Sequence, residues 1–336
     1  MNRELRSTDS GTELSSTMTR LVVITNFNAG RNRSRPDVIR RLTRDAGGHC
    51  LQAEDLESIR RATREAVQRG VDVLAVNGGD GTVHGALTEI MHLDTRLPDL
   101  AIIPGGTTNM TANDLNANAP LEGCLRQLAA QVQLSPESRA RVRRPMLRVF
   151  REPQAAQYGF FLGAGIVLDG MAHFRKKVAS HGLRGELAAG ISLLRGLGGM
   201  ARGEGAWVAS HSMSFVEHDR KERHDDQVLL MATSLERLLL GMRPWWGQRP
   251  CPIHLTSVRR RPKAVMRRAR GLLTGRPHPK MTSSEGYFSE NVTAFDLYAD
   301  GAFALDGEIF AVEPGEPVRV EATAPISFLN LQQAGG

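Results

Sequence analysis

Residues 73–82 read VLAVNGGDGT, and this stretch decides the fold. Its short apolar start is typical of a buried strand, and the apolar residues after Thr82 recur at the spacing of one helix face. The sequence therefore predicts a strand, a glycine turn and a helix. Glycines let the backbone turn tightly and point successive N–H groups outward, at the positive end of the helix. Such a turn binds phosphate.

An aspartate, Asp80, lies at the centre of this glycine turn. A carboxylate among phosphate-binding amides would repel the anion unless a metal ion or a reacting proton lay between them. We therefore expect Asp80 to take part in chemistry. A plain tight turn is the alternative that this stretch alone leaves open.

The length of 336 residues is large for one hydrophobic core and predicts two domains. The composition, 41% hydrophobic and 24% charged, is typical of a soluble globular protein. Residues 1–19 are polar and aperiodic and lack the pattern of a signal peptide, so we expect a disordered tail. No run approaches the roughly 20 apolar residues that a membrane-spanning helix needs.

The net charge of +7 favours an anionic partner, which could be a nucleotide, a nucleic acid or an acidic membrane surface. Charge alone does not choose among them. The three cysteines are scattered, which argues against a disulfide framework and a zinc site and fits a reducing cytoplasm.

Short apolar strands alternate with helices around the central stretch. Further strands are predicted at about 21–25, 49–53 and 100–103. This alternation implies a mostly parallel sheet, whose ligands bind at the carboxyl ends of the strands. Two other turns, Asn26 to Gly30 and Pro104 to Ala112, follow strands at that same edge. From about Arg143 the pattern changes to partly alternating apolar runs, which predict antiparallel sheet.

Three motifs in this order resemble those of the diacylglycerol kinase and sphingosine kinase superfamily, which also includes NAD kinases and phosphofructokinases. Gly78-Gly79-Asp80-Gly81-Thr82 resembles the nucleotide loop of that superfamily. Residues 104–112, PGGTTNMTA, resemble the lipid-kinase signature Pro-x-Gly-Thr-x-Asn-Asp-x-Ala. Asp306-Gly307-Glu308 matches the Asp-Gly-Glu of lipid kinases. The resemblance covers about residues 20–331.

The resemblance implies an ATP-dependent lipid kinase that transfers the γ-phosphoryl group to a hydroxyl of diacylglycerol, a sphingoid base, ceramide or a related lipid alcohol. It implies an α/β nucleotide-binding domain with a parallel sheet over residues 20–142. A β-rich, antiparallel, sandwich-like lipid-binding domain would follow over residues 143–331, with its last strands returning to the first domain. An NAD kinase-like enzyme and a non-catalytic nucleotide- or lipid-binding relative remain alternatives.

The resemblance also implies ATP and Mg²⁺ as cofactors and assigns roles to residues. Phosphoryl transfer needs in-line geometry, neutralised charge and a group that accepts the hydroxyl proton. Asp80 and Glu308 are the candidates for that base, and Asp80 is favoured because it lies inside the phosphate-binding turn. Asp306 is the candidate metal ligand and Asp169 the candidate contact of the lipid head group. The candidate nucleotide-binding residues are Asn26, Asn28, Gly30, Arg31, Gly78, Gly79, Gly81, Thr82, Gly106, Thr107 and Asn109.

The sequence departs from the superfamily pattern at three places. Met110 stands where the second signature usually has aspartate. His84 and Gly85 stand where diacylglycerol kinases usually have Asn-Glu. Residues 246–250, WGQRP, replace an Asp-Gly pair that helps to hold a structural magnesium ion in bacterial members. These departures leave the lipid acceptor open.

Residues 251–284 contain no acidic residue and many arginines and lysines. Interleaved apolar residues predict a basic amphipathic helix, which is suited to an anionic membrane. Nucleic acid is the rival partner, but the run has no aromatic residue for base stacking. We therefore expect a cytoplasmic protein that is peripheral on the inner face of the membrane and takes its lipid substrate from that surface, without nucleic acid. Homodimer formation is left open.

Two segments of the second half carry weaker predictions. Residues 217–226, EHDRKERHDD, are expected to form an exposed hairpin tip, and their acids and histidines do not have the spacing of metal ligands. A helix from about Leu183 has an apolar face that could line the acceptor pocket or belong to the core.

Overall fold

The structure is a computed structural model that describes residues 20–93, 95–171 and 213–332. The predicted tail at 1–19 and the predicted helix from Leu183 lie outside the described residues. In chain order the strands are β1 (Leu21–Thr25), β2 (Gly48–Gln52), β3 (Val73–Gly78), β4 (Asp99–Pro104), β5 (Arg141–Arg144), β6 (Leu147–Phe150), β7 (Gln157–Gly159), β8 (Phe161–Gly165), β9 (Met213–Glu217), β10 (Glu222–Thr233), β11 (Ile253–Arg259), β12 (Tyr287–Val292), β13 (Ala294–Ala299), β14 (Gly301–Leu305), β15 (Glu308–Val312), β16 (Pro317–Ala322) and β17 (Ile326–Leu329). The α-helices with full bounds are α1 (Pro36–Asp45), α2 (Leu56–Gln68), α3 (Asp80–His92), α4 (Met110–Asp114), α5 (Leu121–Val132) and α6 (Val265–Thr274).

The first sheet has the strand order β2-β1-β3-β4-β17-β5. Strands β1 to β4 are parallel, and β1 and β3 are buried along their whole length. Helices cover such a sheet on both faces, which explains why these strands are continuous apolar runs rather than alternating ones. The predicted α/β region with a parallel sheet is confirmed, and its ligand-binding edge is the carboxyl end of β1, β3 and β4.

The second sheet is antiparallel and contains eleven described strands. Its main path is β15-β14-β8-β10-β9-β13-β16-β6-β7, and β11 and β12 extend it from β10. The long strand β10 joins the two parts of this sheet, because its first half pairs with β9 and its second half pairs with β8. The predicted β-rich region is confirmed.

The chain returns to the first sheet at its end. Strand β17 lies between β4, to which it is parallel, and β5, to which it is antiparallel. The boundary predicted between residues 142 and 143 therefore falls inside β5, and the change of architecture comes after Arg144. Sequence patterns miss this because β5 alternates like the strands that follow it.

One predicted strand ends early. The alternation at 158–167 predicts extended chain, but residues 166–171 are helical. Gly165 causes the change because its φ is +70°, and a β-carbon there would lie 2.1 Å from the carbonyl oxygen of Val228. Only glycine tolerates this conformation and this approach.

Helix α3 connects the two sheets. The backbone carbonyl of Tyr158, in β7, accepts hydrogen bonds from Nδ1 of His84 at 3.0 Å and from Oγ1 of Thr88 at 3.3 Å. The Tyr158 N–H donates to Thr88 Oγ1 at 3.0 Å. His84 is fully buried, and this burial lowers its pKa to about 4. The imidazole is therefore neutral, with its proton on Nδ1.

We predict that His84 makes the stability of the protein fall in mild acid. Its folded-state pKa lies below the ordinary 6.5, so its contribution is present above that pH and is lost as the pH falls toward 4. In urea unfolding, the wild type should lose about 3 kcal/mol more than His84→Gln between pH 7 and pH 4. If the free energies of unfolding of the two proteins fell equally with pH, His84 would not be the cause of the acid sensitivity.

Candidate active site

The glycine turn after β3 packs directly on the turn after β4. The N–H groups of Gly105 and Gly106 both donate to the carbonyl oxygen of Gly78 at 3.0 Å. A β-carbon on Gly106 would lie only 2.4 Å from Cα of Gly79, so the two backbones touch. Helix α3 starts at Asp80, immediately after this contact. Backbone N–H groups of a helix start therefore face the carboxyl edge of the sheet.

The Asn109 side chain closes the second turn. Its Oδ1 accepts from the Gly106 N–H at 2.7 Å, and its Nδ2 donates to the Gly106 carbonyl at 2.8 Å. Asn109 has a left-handed backbone conformation and is buried. Its amide is thus used inside the turn, and its effect on a ligand would come through the position of Gly106.

The turn after β1 is hydrogen-bonded to the turns after β3 and β4. Nδ2 of Asn26 donates to Oγ1 of Thr82 at 3.2 Å, and the Arg31 N–H donates to the Gly105 carbonyl at 2.8 Å. Asn32 is fully buried, and its Nδ2 donates to the carbonyls of Asn26 and Asn77. The sequence analysis did not single out Asn32, because an asparagine in a basic loop carries no pattern of its own.

A polar cleft opens along these three turns. It brings together seven of the predicted nucleotide-binding residues, with Glu54, Asp55 and Glu308 at its sides. The seven are Asn26, Gly30, Gly79, Gly81, Thr82, Gly106 and Thr107. Asn28 is exposed outside the cleft lining, and its N–H donates to Oδ1 of Asn26 at 2.9 Å. Gly78 is covered by Thr82, and Arg31 faces a neighbouring opening beside Arg35.

A second, apolar cavity of about 370 Å³ lies on the other side of Gly81. Its wall comes from the second sheet, from residues 166–171, from the loop 238–244 and from α6. The apolar lining residues include Met110, Phe161, Val167, Met171, Met231, Leu238, Leu239, Met242, Pro244 and Leu273. Asp80, Asp306 and Glu308 form its polar end. Gly81 and Glu308 line both the cleft and the cavity, so the two spaces meet there.

Residues 20–136 match the family model of the diacylglycerol kinase catalytic domain. About the first third of the chain is therefore similar to that catalytic domain. A protein assigned as a lipid kinase from Streptococcus pneumoniae serotype 4 is 39% identical over 64 residues, which are 19% of this chain and 21% of that relative. A protein assigned as a YegS-like lipid kinase from Stenotrophomonas maltophilia is 40% identical over 78 residues, 20% of this chain and 25% of the relative. The matched segments thus span a quarter or less of these curated relatives.

Solved structures extend the similarity of fold to nearly the whole chain. A structure assigned as a diacylglycerol kinase from Bacillus anthracis str. Sterne superposes with a TM-score of 0.65 at 17% identity. That superposition covers 91% of this chain and 93% of the other. A second diacylglycerol kinase structure from the same organism gives a TM-score of 0.62 at 14% identity, covering 93% and 96%. The two-domain fold predicted from the resemblance is therefore confirmed.

Asp306 occupies the two-residue turn between β14 and β15 of this diacylglycerol kinase fold. Its carboxylate accepts hydrogen bonds from the N–H groups of Phe160 and Phe161 at 2.9 to 3.1 Å. Burial, and then the charge of Asp80, raise the pKa of Asp306 to about 8. Asp80 itself accepts from the N–H groups of Met110 and Thr111, and burial raises its pKa. The two carboxylates therefore oppose each other's ionisation.

Met110 and Asp169 both lie at or beside the apolar cavity. Met110 provides an apolar wall of the cavity and a backbone donor to Asp80 at 3.3 Å. Asp169 is half-buried in the helical stretch 166–171, and its neighbours Gly170 and Met171 line the cavity.

We predict that Asp306 makes the protein less stable as the pH rises. Its folded-state pKa of about 8 lies above the ordinary 3.8, so the folded chain holds the proton more tightly. This contribution is complete below about pH 4 and is lost as the pH rises through about 8. The side chain of Asp306→Asn cannot titrate. In chemical unfolding without divalent cations, the free energy of unfolding of the wild type should therefore fall relative to that of the variant between about pH 4 and about pH 8. A constant difference between the two would contradict the raised pKa.

Proposed function

We propose that this chain is an ATP-dependent lipid kinase, in which ATP binds in the polar cleft and a lipid hydroxyl enters from the apolar cavity. The observation that carries the proposal is the shared lining of the two spaces by Gly81 and Glu308. A phosphoryl group on one side of Gly81 and a hydroxyl on the other would be close enough to react. Holding both groups in this way is the main requirement of phosphoryl transfer.

The polar cleft has the features of a phosphate site. It is formed by backbone from three turns, at the start of α3, where N–H groups without helical partners attract anions. Gly79 and Gly106 let two of these turns pack directly on each other, because a β-carbon on Gly106 would lie 2.4 Å from Cα of Gly79. Thr82 and Thr107 add hydroxyl donors at the same surface.

The cavity has the features of a lipid site. Four methionines, Met110, Met171, Met231 and Met242, lie in its lining. Methionine side chains are flexible and polarisable and adapt to acyl chains of varied shape. The carboxylates are confined to the end nearest Gly81, so a bound lipid would orient its polar head toward the cleft. NAD, which is polar throughout, fits this lining poorly.

Glu308 is the group that we propose accepts the proton of the lipid hydroxyl. The sequence alone favoured Asp80, but both oxygens of Asp80 already accept backbone hydrogen bonds. Glu308 is exposed, and its Oε1 lies over Gly81, 2.7 Å from where a β-carbon on that glycine would be. A general base must reach the proton that it removes, and Glu308 is a carboxylate that lies where the cleft and the cavity meet.

Asp80 and Asp306 fit a role in holding Mg²⁺. Mg²⁺ prefers oxygen ligands and is usually held by one or two carboxylates together with substrate phosphates and water. A cation between Asp80 and Asp306 would remove the repulsion that raises the Asp306 pKa. When bound, Mg²⁺ would neutralise charge on the transferred phosphoryl group. In this chain, Asp80 and Asp306 would orient the phosphate end while backbone N–H groups at the start of α3 bind its oxygens.

The function is tested by incubating the purified protein with labelled ATP, Mg²⁺ and a lipid extract, and identifying the product by mass spectrometry. We expect a phosphorylated lipid. Absence of turnover with every lipid, despite ATP binding, would instead support a non-catalytic lipid-binding protein.

We predict that Glu308→Gln lowers kcat by about 10²- to 10⁴-fold, the usual effect of removing a general base. ATP affinity should be largely kept, because the backbone turns remain. Glu313→Gln is the matched control, since Glu313 is an exposed acid just beyond the same strand. If Glu308→Gln retains normal turnover while Asp80→Asn loses it, Asp80 is the base.

Helix α6 and the neighbouring loop support the proposal of a peripheral, cytoplasmic enzyme on anionic membrane. Met266 and Leu240 are exposed by 54% and 52%, close to Leu273 and Leu239 of the cavity wall. Arg267 and Arg270 are exposed on α6, whereas Arg268 is buried and pairs with Glu285 at 3.1 Å. In the described part of the chain, no helix is long and apolar enough to cross a membrane.

We predict that replacing both Arg267 and Arg270 by glutamine weakens cosedimentation with anionic vesicles. Binding of the wild type should also fall as salt rises, because the Debye length shortens from ~10 Å at 0.1 M to ~3 Å at 1 M. Replacing the exposed Arg41 and Arg44 of α1 removes the same charge far from the cavity and should have little effect. Equal binding of the wild type to neutral vesicles would contradict this electrostatic attachment.

A further inference from the structure

The hairpin of β9 and β10 gathers three metal-ligating side chains that the sequence keeps apart. Glu222 pairs directly with Glu217, and His224 pairs with Phe215. Residues two apart on a strand share a face, so Glu217, Glu222 and His224 project together. One ligand atom from each lies within 4.8 Å of the other two. Spacing along the chain does not reveal this convergence, because it depends on pairing across the hairpin.

The His224 imidazole is held rigidly and has an unused nitrogen. Its ring stacks on Phe215 with centroids 4.5 Å apart and also contacts Phe288 at 4.3 Å. The side chain is only 9% exposed, yet Nε2 has no hydrogen-bond partner among the residues that the structure describes. Nε2 lies 3.8 Å from Oε1 of Glu222, too far for a hydrogen bond. A buried nitrogen without a partner costs free energy that a ligand would recover.

Glu217 is also incompletely satisfied. It is fully buried, and its Oε1 accepts a hydrogen bond from the guanidinium of Arg249. In the described part of the chain, its Oε2 has no hydrogen-bond partner. Arg249 divides its single charge among Glu217, Asp219 and Glu290. Oε2 of Glu217 therefore keeps lone pairs that a cation could use.

We propose that Glu217, Glu222 and His224 bind a divalent transition-metal ion of the Zn²⁺ class. Tetrahedral zinc lies about 2.0–2.2 Å from nitrogen and oxygen ligands, which places two of its ligand atoms ~3.4 Å apart. Nε2 of His224 and Oε1 of Glu222 are 3.8 Å apart, and a small rotation of the exposed Glu222 side chain brings them to that distance. A nitrogen ligand beside two carboxylates favours Zn²⁺ over Mg²⁺ or Ca²⁺, which prefer oxygen ligands alone. Three protein ligands leave a fourth position for water.

Such an ion would strengthen the end of the second sheet. Glu217 lies at the last position of β9 and Glu222 at the first position of β10, so the ion would bridge both strands at the turn. The same strand β10 carries Met231 into the cavity wall. This site is separate from the carboxylates of Asp80 and Asp306.

The test is equilibrium dialysis of the chelator-treated full chain against Zn²⁺ with Mg²⁺ in excess, so that Mg²⁺ occupies sites made of oxygen ligands. The wild type should bind one Zn²⁺ more than Glu222→Gln and His224→Gln. Glu222 is 53% exposed, so its replacement disturbs no packing. Asp225→Asn is the matched control: it removes the same charge from the same strand at a residue outside the trio, and it should retain the ion.

Thermal unfolding gives a second readout. Zn²⁺ should raise the Tm of the wild type and of Asp225→Asn, and the shift should disappear in Glu222→Gln. Equal Zn²⁺ binding by the wild type and Glu222→Gln would overturn the proposal. A loss in Asp225→Asn as large as in Glu222→Gln would also overturn it, because general charge would then explain the binding. If His224→Gln fails to fold, the Glu222→Gln comparison decides alone.

Discussion

The hydrogen bonds between α3 and the backbone of Tyr158 are the constraint on which the rest of the structure depends. Strand β7 is at the edge of the second sheet, and an edge strand leaves backbone groups without partners in the sheet. His84 and Thr88 satisfy the N–H and C=O of Tyr158, so the helix that starts at the glycine turn also completes the second sheet. A buried, unpaired peptide group would be costly, which holds the two parts together.

This connection brings the hairpin of β14 and β15 to the glycine turn. His84 packs edge to face against Phe310, with ring centroids 5.8 Å apart, and Phe310 belongs to the strand that begins with Glu308. Asp306, before that strand, is held by the N–H groups of Phe160 and Phe161. The polar end of the cavity is thus positioned by a neutral histidine and by backbone donors. Neutrality matters here, because a charged imidazole in this core would lack a partner.

The two clusters of acidic residues differ in how their charge is compensated. Asp80 and Asp306 receive backbone hydrogen bonds but, among the described residues, no cationic side chain, so their mutual repulsion appears as a raised pKa of Asp306. Glu217 is paired with Arg249, but its second oxygen and Nε2 of the neighbouring His224 have no hydrogen-bond partner in the same described ranges. Both arrangements favour a cation. An all-oxygen set suits Mg²⁺, and a set with one imidazole suits a transition metal.

The sequence by itself determined the α/β half and the glycine turns, because strand burial, helix periodicity and tight turns are local properties of the chain. Only the tertiary structure decided that Glu308 lies over Gly81, that Met110 lines a cavity and that Glu217, Glu222 and His224 converge. These features depend on strand register and on contacts between distant segments. The helical turn after Gly165 has the same origin. Local pattern is silent on them because the neighbours that decide them are brought near only by folding.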